Sequence, residues 1–526
     1  MGGDTFITNL PERVVGGFRA ARGVGEGWVS VPYRTDDFEG VGIAAGAHSG
    51  APPLTIRLGS QGSGTVHVAV APSTSLQVWL DGEEGFREFN TVHGGALFQE
   101  CALHVADLTG RDLHVALKPG PAAVPAWLAY VRIVPCAARV RSAGNMVGTN
   151  DGFSWIALDD MESVRDVYKM FVPYRDSDFF RVLWCPCGAD VTGNHMTRAG
   201  TVMPFDATHA FRDCDRTYAA ATGRILEAGG DILAAAVEGA RDVGVEIHFY
   251  IRPEAFFCPF PHDVTFVSRF MLDHPELRCR DEFGGEVMRL SYAHAAVQDH
   301  MLEYFAELLE YEPDGLCMAF NRSLPMVICE EPVLEEFERA HGRRPKLPDE
   351  VNSPEMLAVR QSVLTRFLER VGGMLDERGM TLCCIAEGDN RLNLLKGLDV
   401  AAIVKRGLVD CVMVSGYALE QRFWSEISRA EDVRVYGSVP NWPPSYDYVE
   451  VARQMRSVFQ AGLDGGFFWD VEGMFSNPYN WHLVRRLGTL EYLEQTIAGR
   501  NPGPAFRPIV EVRGVRRDRY DPWSSY

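Results

Sequence analysis

The chain has 526 residues, 46% hydrophobic and 23% charged, an ordinary globular balance in a length beyond that of a usual single domain. Its formal net charge of −20, from 71 acidic against 51 basic residues, argues against a nucleic-acid backbone or an anionic membrane as main partner and fits neutral or cationic ligands. No run of about 18 apolar residues occurs, the start MGGDTFITNLPERVV lacks an export signal, and the 12 cysteines are dispersed, so a soluble cytoplasmic protein with reduced thiols is expected.

Residues 1–145 are written in short period-2 runs, LTIRLGS, TVHVAVAP, LQVWLDGEEG, DLHVALKPG and AWLAYVRIVP, separated by Gly, Pro and Asp. Alternation of this kind suits sheets with one buried face, and an all-β sandwich of jelly-roll type is expected here. Trp79 and Trp127 lie in strand-like runs, where core packing explains them more simply than sugar binding does.

From about residue 146 to 500 helix and short strand alternate, the signature of buried parallel strands covered by helices. Apolar strand candidates are 181–187, 245–252, 287–291, 314–320, 380–387, 410–415, 433–438 and 464–470. Eight such units predict an α/β fold, a (β/α)8 TIM barrel preceded by the sandwich, with the longest insertion after the fourth strand. A glycine-rich nucleotide loop that would favour a doubly wound sheet is not found. The tail 501–526, VEVRGVRRDRYDPWSSY at its end, is expected to pack on the barrel or on a neighbouring subunit, and a homo-oligomer stays open.

In such a barrel chemistry belongs at the C-terminal strand ends. The first candidate strand runs into Asp190, Asn194 and His195; the second carries His248, Tyr250, Arg252 and Glu254 at alternate positions, hence on one face. The fourth ends in Asn321 and Arg322, with Glu330 and Glu331 in its loop; the fifth provides Glu387 and Asp389. Later ends bring Ser415, Tyr417, Asn441, Trp442, Trp469, Asp470 and Glu472. Glu331 also opens a helix, where an acid favours the positive end, and an arginine among buried strands needs a carboxylate or a substrate. HExxH, a calcium loop and GxSxG are missing from the sequence, and neither a metal nor a cofactor is expected. Carboxylates among aromatics suit glycosidic cleavage, which needs an acid for the departing oxygen and a carboxylate to attack the anomeric carbon or activate water.

The ordered segments HPELRCRDEFGGE, LSYAHAAVQDHMLEYFAELLEYEPDGLCMAFNR, FERAHGRRP, LVDCVMVSGY and AGLDGGFFWDVEG cover most of residues 245–500, which resemble the barrel of the bacterial family-10-like glycosyl hydrolase proteins. The resemblance implies a carbohydrate substrate and a strand-end site. It also exposes departures. In the family pattern DGxxxDxxR, Asp314, Gly315 and Arg322 fit, but Ala319 stands where the second acid belongs. The usual acid after strand four and nucleophile after strand seven are replaced by Asn321 and by YGSVPNW.

The expectation is a glycoside hydrolase with Glu387 as general acid and Asp470 or Glu472 as carboxylate partner. Asp190, His195, His248, Arg252, Glu254, Asn321, Arg322, Glu331, Asp389, Tyr417, Asn441 and Trp442 are expected to hold substrate or tune the acids. A non-catalytic carbohydrate-binding barrel, and a sugar lyase or isomerase using a histidine with or without a metal, remain as alternatives.

Overall fold

The computed structural model describes the chain except for residues 1–2, 92–94, 120–123, 137–143, 160, 187–190, 204–211, 254–266, 322–323, 417–419, 431–432, 440–447, 476–477, 502–504, 514 and 517–526. Eight parallel strands close into a barrel in strict sequence order: β1 (Met146–Asn150), β2 (Phe179–Trp184), β3 (Glu246–Ile251), β4 (Gly315–Ala319), β5 (Thr381–Glu387), β6 (Cys411–Ser415), β7 (Arg434–Ser438) and β8 (Gly465–Phe468). Closure comes from β8 pairing with β1, Met146 against Gly466 and Gly148 against Phe468.

These strands are short and apolar because both faces are covered, lumen on one side and helices on the other. β4, GLCMA, is buried at every position. Helices start where the chain supplies acceptors: Asp231 caps Ile232–Val243 and Ser353 caps Pro354–Asp376, each side chain accepting first-turn N–H groups. A repeated device registers the floor of the barrel. The aspartate preceding an even strand accepts a backbone N–H from the strand before it: Asp314 from Ile247, Asp410 from Leu382 and Asp464 from Val435, at 2.8, 2.8 and 2.7 Å. The Asp-Gly of the DGLCMAFNR segment is therefore occupied structurally. Gly465 is held to glycine by close approach, since a Cβ there would stand 2.0 Å from the Asn145 carbonyl.

Two corrections to the strand count cancel. The run 287–291 lies not in the barrel but in a two-stranded antiparallel ribbon, Arg278–Arg280 with Glu286–Leu290, inside the β3 to β4 connection. The barrel's first strand is MVGTN, which carries no long apolar run to mark it in the sequence. Strands four to eight keep their expected ranks. The insertion after β4 is not the longest, for the segments after β2 and β3 are of comparable length.

Before the barrel stand two antiparallel sheets. One has nine strands, among them Ser63–Val70, Leu97–Asp107 and Ala126–Pro135; the other has four, Leu54–Ile56, Thr74–Leu80, Arg87–Thr91 and Leu113–Leu117. Val66, Val68, Leu128 and Ile133 of the first share one apolar cluster with Leu76, Val78, Phe89 and Val115 of the second. The described part of the tail joins the nine-stranded sheet: Phe506–Pro508 pairs with Leu97–Asp107, and Glu511–Val512 with Val29–Arg34. Its apolar residues Ile509 and Val512 pack on Tyr33, Phe98 and Tyr130, which explains why the sheet recruits it.

Both sheets meet the barrel through buried charge. Glu83 lies 2.8 Å from both His104 Nε2 and Arg175 Nη1, and Val105 donates its N–H to Asp176. Burial works against ionising Glu83, but the hydrogen bond and charge of His104 and the charge of Arg175 outweigh it and hold its carboxyl down at about 2. Trp79 stacks on His114 at 5.1 Å beneath the Arg165 guanidinium. Trp127 packs edge-on against Phe98.

Candidate active site

Polar groups gather at the C-terminal strand ends in two sets. The first belongs to β8, β1 and β3. Just past β8, Asp470 has φ +48, a left-handed conformation that costs an L-residue about 1–2 kcal/mol, although aspartate and asparagine adopt it more readily than most. Thr149 of β1 holds it there: the hydroxyl accepts the Asp470 N–H at 2.7 Å and faces Oδ1 at 3.5 Å. The turn throws the chain into helix Glu472–Phe475, whose first residue reaches back so that Glu472 Oε1 accepts the Asp151 N–H at 3.0 Å.

Asp151 follows β1 directly. Its carboxylate accepts Phe153 N–H and Ser154 Oγ–H, both at 3.1 Å, and lies 3.9 Å from Arg252 Nη2. Arg252 follows β3 and is buried, with Tyr250 two residues before it on the same strand face. Three carboxyls thus gather at these strand ends, and one of them, that of Asp151, lies beside the Arg252 guanidinium. Burial, then the negative charges of Asp470 and Asp151, push the Glu472 carboxyl well above the usual carboxylate range. A buried neutral carboxyl can hold a proton at a pH where an exposed one has lost it.

Such a shift carries a stability cost with a definite sign. The unfolded carboxyl titrates near 4.5 and the folded one well above, so the folded state loses ground as pH climbs through the interval between them. Glu472→Gln keeps the acceptor for the Asp151 N–H and removes that cost. Its thermal midpoint should exceed that of the wild type by roughly 1–3 °C at pH 7.5 and match it at pH 4. A midpoint lower at pH 7.5 than at pH 4, relative to wild type, would contradict the protonated carboxyl.

The second set belongs to β4, β5 and β6. Glu387 ends β5, and its backbone is clamped by Asn393, which accepts the Glu387 N–H at 2.9 Å and donates to its carbonyl at 3.0 Å. The carboxylate accepts from Lys396 Nζ at 2.7 Å; the same ammonium donates to the Phe320 and Asn321 carbonyls at 3.2 and 3.1 Å. Asn321 Nδ2 reaches across to Ser415 Oγ, 3.1 Å, at the end of β6. Ala319 closes β4 as a buried residue.

Other expected site residues lie elsewhere. His248 faces the lumen at the floor, its Nδ1 3.5 Å from Cys383 Sγ and its Nε2 3.3 Å from Thr381 Oγ1; burial, then the charge of Arg181, push its pKa well down. His195 is buried against helix Ala295–Leu309, 3.3 Å from Glu307 and beside Tyr304. Asp389 is the N-cap of helix Asn390–Lys396, accepting the Arg391 N–H at 2.9 Å. Glu331 opens helix Glu331–His341 and is paired on its exposed surface with Arg344, 2.5 Å. Asp190, Glu254, Arg322, Tyr417, Asn441 and Trp442 lie outside the described residues. Among the described residues no group of three or more His, Cys, Asp or Glu is placed to hold a metal ion, and no helix is long and apolar enough to cross a membrane.

Thr149 and Asp151 were not anticipated from the sequence. The signal was TND before a helix, a strand run turning polar and then meeting an N-terminal acid.

No family model and no curated protein matches the chain. Among solved structures it is similar to alpha-L-fucosidase isoenzyme 2 from Paenibacillus thiaminolyticus, with 13% identity, 67% of this chain and 49% of that one covered, and a TM-score of 0.42. The match thus spans about half the length of the fucosidase. It is also similar to TtGalA, the alpha-galactosidase from Thermus thermophilus, with 13% identity, 90% and 94% coverage and a TM-score of 0.35. A GH18 chitinase from Pseudoalteromonas aurantia shares 8% identity over 63% of this chain and 97% of that one, with a TM-score of 0.33. Likeness at this distance carries no argument about chemistry, which has to come from the side chains.

Proposed function

We propose that this protein is a glycoside hydrolase working at the C-terminal mouth of its barrel, 146–500, with the two antiparallel sheets of residues 1–145 as an accessory sandwich. One observation carries the reading: two carboxylates at strand ends have opposite electrostatic surroundings. Glu387 faces an ammonium, whereas Asp470 stands with two further carboxyls, one of them driven toward its neutral form. Acid and base roles in glycosidic cleavage are separated by such environments.

The roles follow, and they reverse the order expected from sequence. Asp470, exchanging the proton held with Glu472, is the general acid toward the departing oxygen. Glu387, ion-paired with Lys396, is the anion that attacks the anomeric carbon or activates water. Asp151 and Glu472 position Asp470, while Arg252 offsets their charge and offers donors to sugar hydroxyls. Asn321, and with it Asp190, Glu254, Arg322, Tyr417, Asn441 and Trp442, is proposed to complete the substrate contacts. The ten described cysteines are all free thiols, which supports a reducing, cytoplasmic setting.

The test is turnover of a panel of aryl glycosides of both anomeric series together with neutral oligosaccharides. Wild-type protein should release aglycone or reducing sugar from at least one member. Sugar binding by calorimetry without release from any member would replace this reading by that of a binding barrel, in line with Ala319. Products with an unsaturated ring would replace it by a lyase.

A further inference from the structure

At the opposite, N-terminal end of the barrel lies a group that catalysis at the mouth does not use. Cys317, Cys383 and Cys411 are register neighbours on β4, β5 and β6, so their side chains share one face and one level. Cys383 Sγ and Cys411 Sγ lie 2.8 Å apart. One guanidinium nitrogen, Arg181 Nη1, donates to both, at 3.1 and 3.0 Å. The rest of that guanidinium is held by Glu246, with Nε and Nη2 at 2.8 and 2.6 Å. Core cysteines pack against apolar neighbours; two sulfurs sharing an arginine are arranged for thiolate chemistry.

We propose that Cys383 and Cys411 are a peroxide-oxidisable dithiol that closes to a disulfide between β5 and β6. Neighbouring parallel strands stand about 4.8 Å apart, within the Cα separations a disulfide spans, and the sulfurs need to approach by only about 0.8 Å to reach bonding distance. Cys411 is the attacking sulfur, for its contact with the Cys383 sulfur favours the thiolate ahead of the opposing effect of burial, with Arg181 adding to it. Its thiolate attacks one peroxide oxygen, the O–O bond breaks, and hydroxide leaves as Cys411 becomes a sulfenic acid. The Cys383 sulfur then attacks that sulfur; the S–S bond forms, the S–O bond breaks, and the hydroxyl departs as water with the Cys383 proton. Two electrons pass from the thiol pair to the peroxide, which ends as two waters.

Access is through the floor. The Arg181 side chain is 5% exposed, but that of Glu246 is 44% exposed, so one ion pair separates the sulfurs from solvent. The same two strands carry Glu387 and Ser415 at their other ends, so the bond would staple the strands that present the second polar set.

The experiment uses the full-length wild-type protein, reduced, treated with hydrogen peroxide at pH 7, alkylated under denaturing conditions and mapped by mass spectrometry. A cross-linked pair of peptides containing Cys383 and Cys411, absent in Cys411→Ser and restored to thiols by dithiothreitol, is the expected result. Cys384→Ser should leave the cross-link intact. Free Cys383 and Cys411 after treatment, or a link through Cys317 instead, would overturn the proposal. The pH profile tests the arginine without a variant that could misfold. An unassisted thiol of pKa near 8.5 would lose roughly seventyfold in thiolate, and so in rate, between pH 8 and pH 6. The cross-link should slow by clearly less than that across the interval, and a full seventyfold fall would remove Arg181 from the assignment.

Discussion

Asp470→Asn is expected to lower kcat/KM on alkyl glycosides by about a thousandfold, the middle of the range for losing a general acid, while the protein stays folded. Asparagine tolerates the left-handed backbone at φ +48 as aspartate does, and the Thr149 hydroxyl accepts a backbone N–H that the substitution leaves in place. What disappears is the ability to ionise and to pass a proton. The leaving group therefore decides the size of the effect. A 2,4-dinitrophenolate departs without protonation, so on dinitrophenyl glycosides the loss should shrink to about tenfold or less. Equal losses on both substrates would deny Asp470 the proton, and unchanged rates on both would remove it from the reaction. Asp470→Gly supplies a second reading of the same position. Glycine adopts positive φ without strain, so this variant should unfold no earlier than wild type while its activity on alkyl glycosides is lost.

The barrel was legible because buried parallel strands leave short apolar runs between helical periods, and seven of the eight are such runs, from Phe179–Trp184 onward. β1 was not legible, since MVGTN holds a glycine and two polar residues, and with it went Thr149 and Asp151. Conversely EVMRL of the ribbon has a strand's composition without a place in the barrel. Period-2 alternation assigned His248, Tyr250 and Arg252 correctly to one face, yet a face is not a depth. Four residues of strand span about 13 Å, enough to put His248 on the floor with the cysteines and Arg252 at the mouth with Asp151. Cys383 of TLCCIAEGDN reads as packing alone because its partner, Arg181, comes from a strand about 200 residues earlier in the chain. Glu331 and Asp389 show the reverse case. Acids at helix starts are explained locally by capping and the helix dipole, and the structure uses both in that way.

Glu387 makes the complementary case, and its substitution should cost as much as that of Asp470 but without dependence on the leaving group. The segment from Glu387 to Gly397 builds its own ion pair. Asp389 caps the short helix, Gly397 ends it at φ +90, and Lys396 in the last turn points its ammonium back at the carboxylate nine residues earlier. Lys396 keeps two carbonyl acceptors and Asn393 keeps both backbone bonds when the carboxylate is altered, so Glu387→Gln and Glu387→Ala should remain folded. An anion at the anomeric centre is needed whether the aglycone is a good or a poor leaving group. Both variants should therefore lose about a thousandfold or more on alkyl and dinitrophenyl glycosides alike. Removing the side chain also leaves room for a small external anion, so azide or formate should restore turnover to Glu387→Ala on the dinitrophenyl substrate and leave Asp470→Asn on alkyl glycosides unimproved. A loss at Glu387 confined to poor leaving groups would return the acid role to it, and with it the partner role to Asp470.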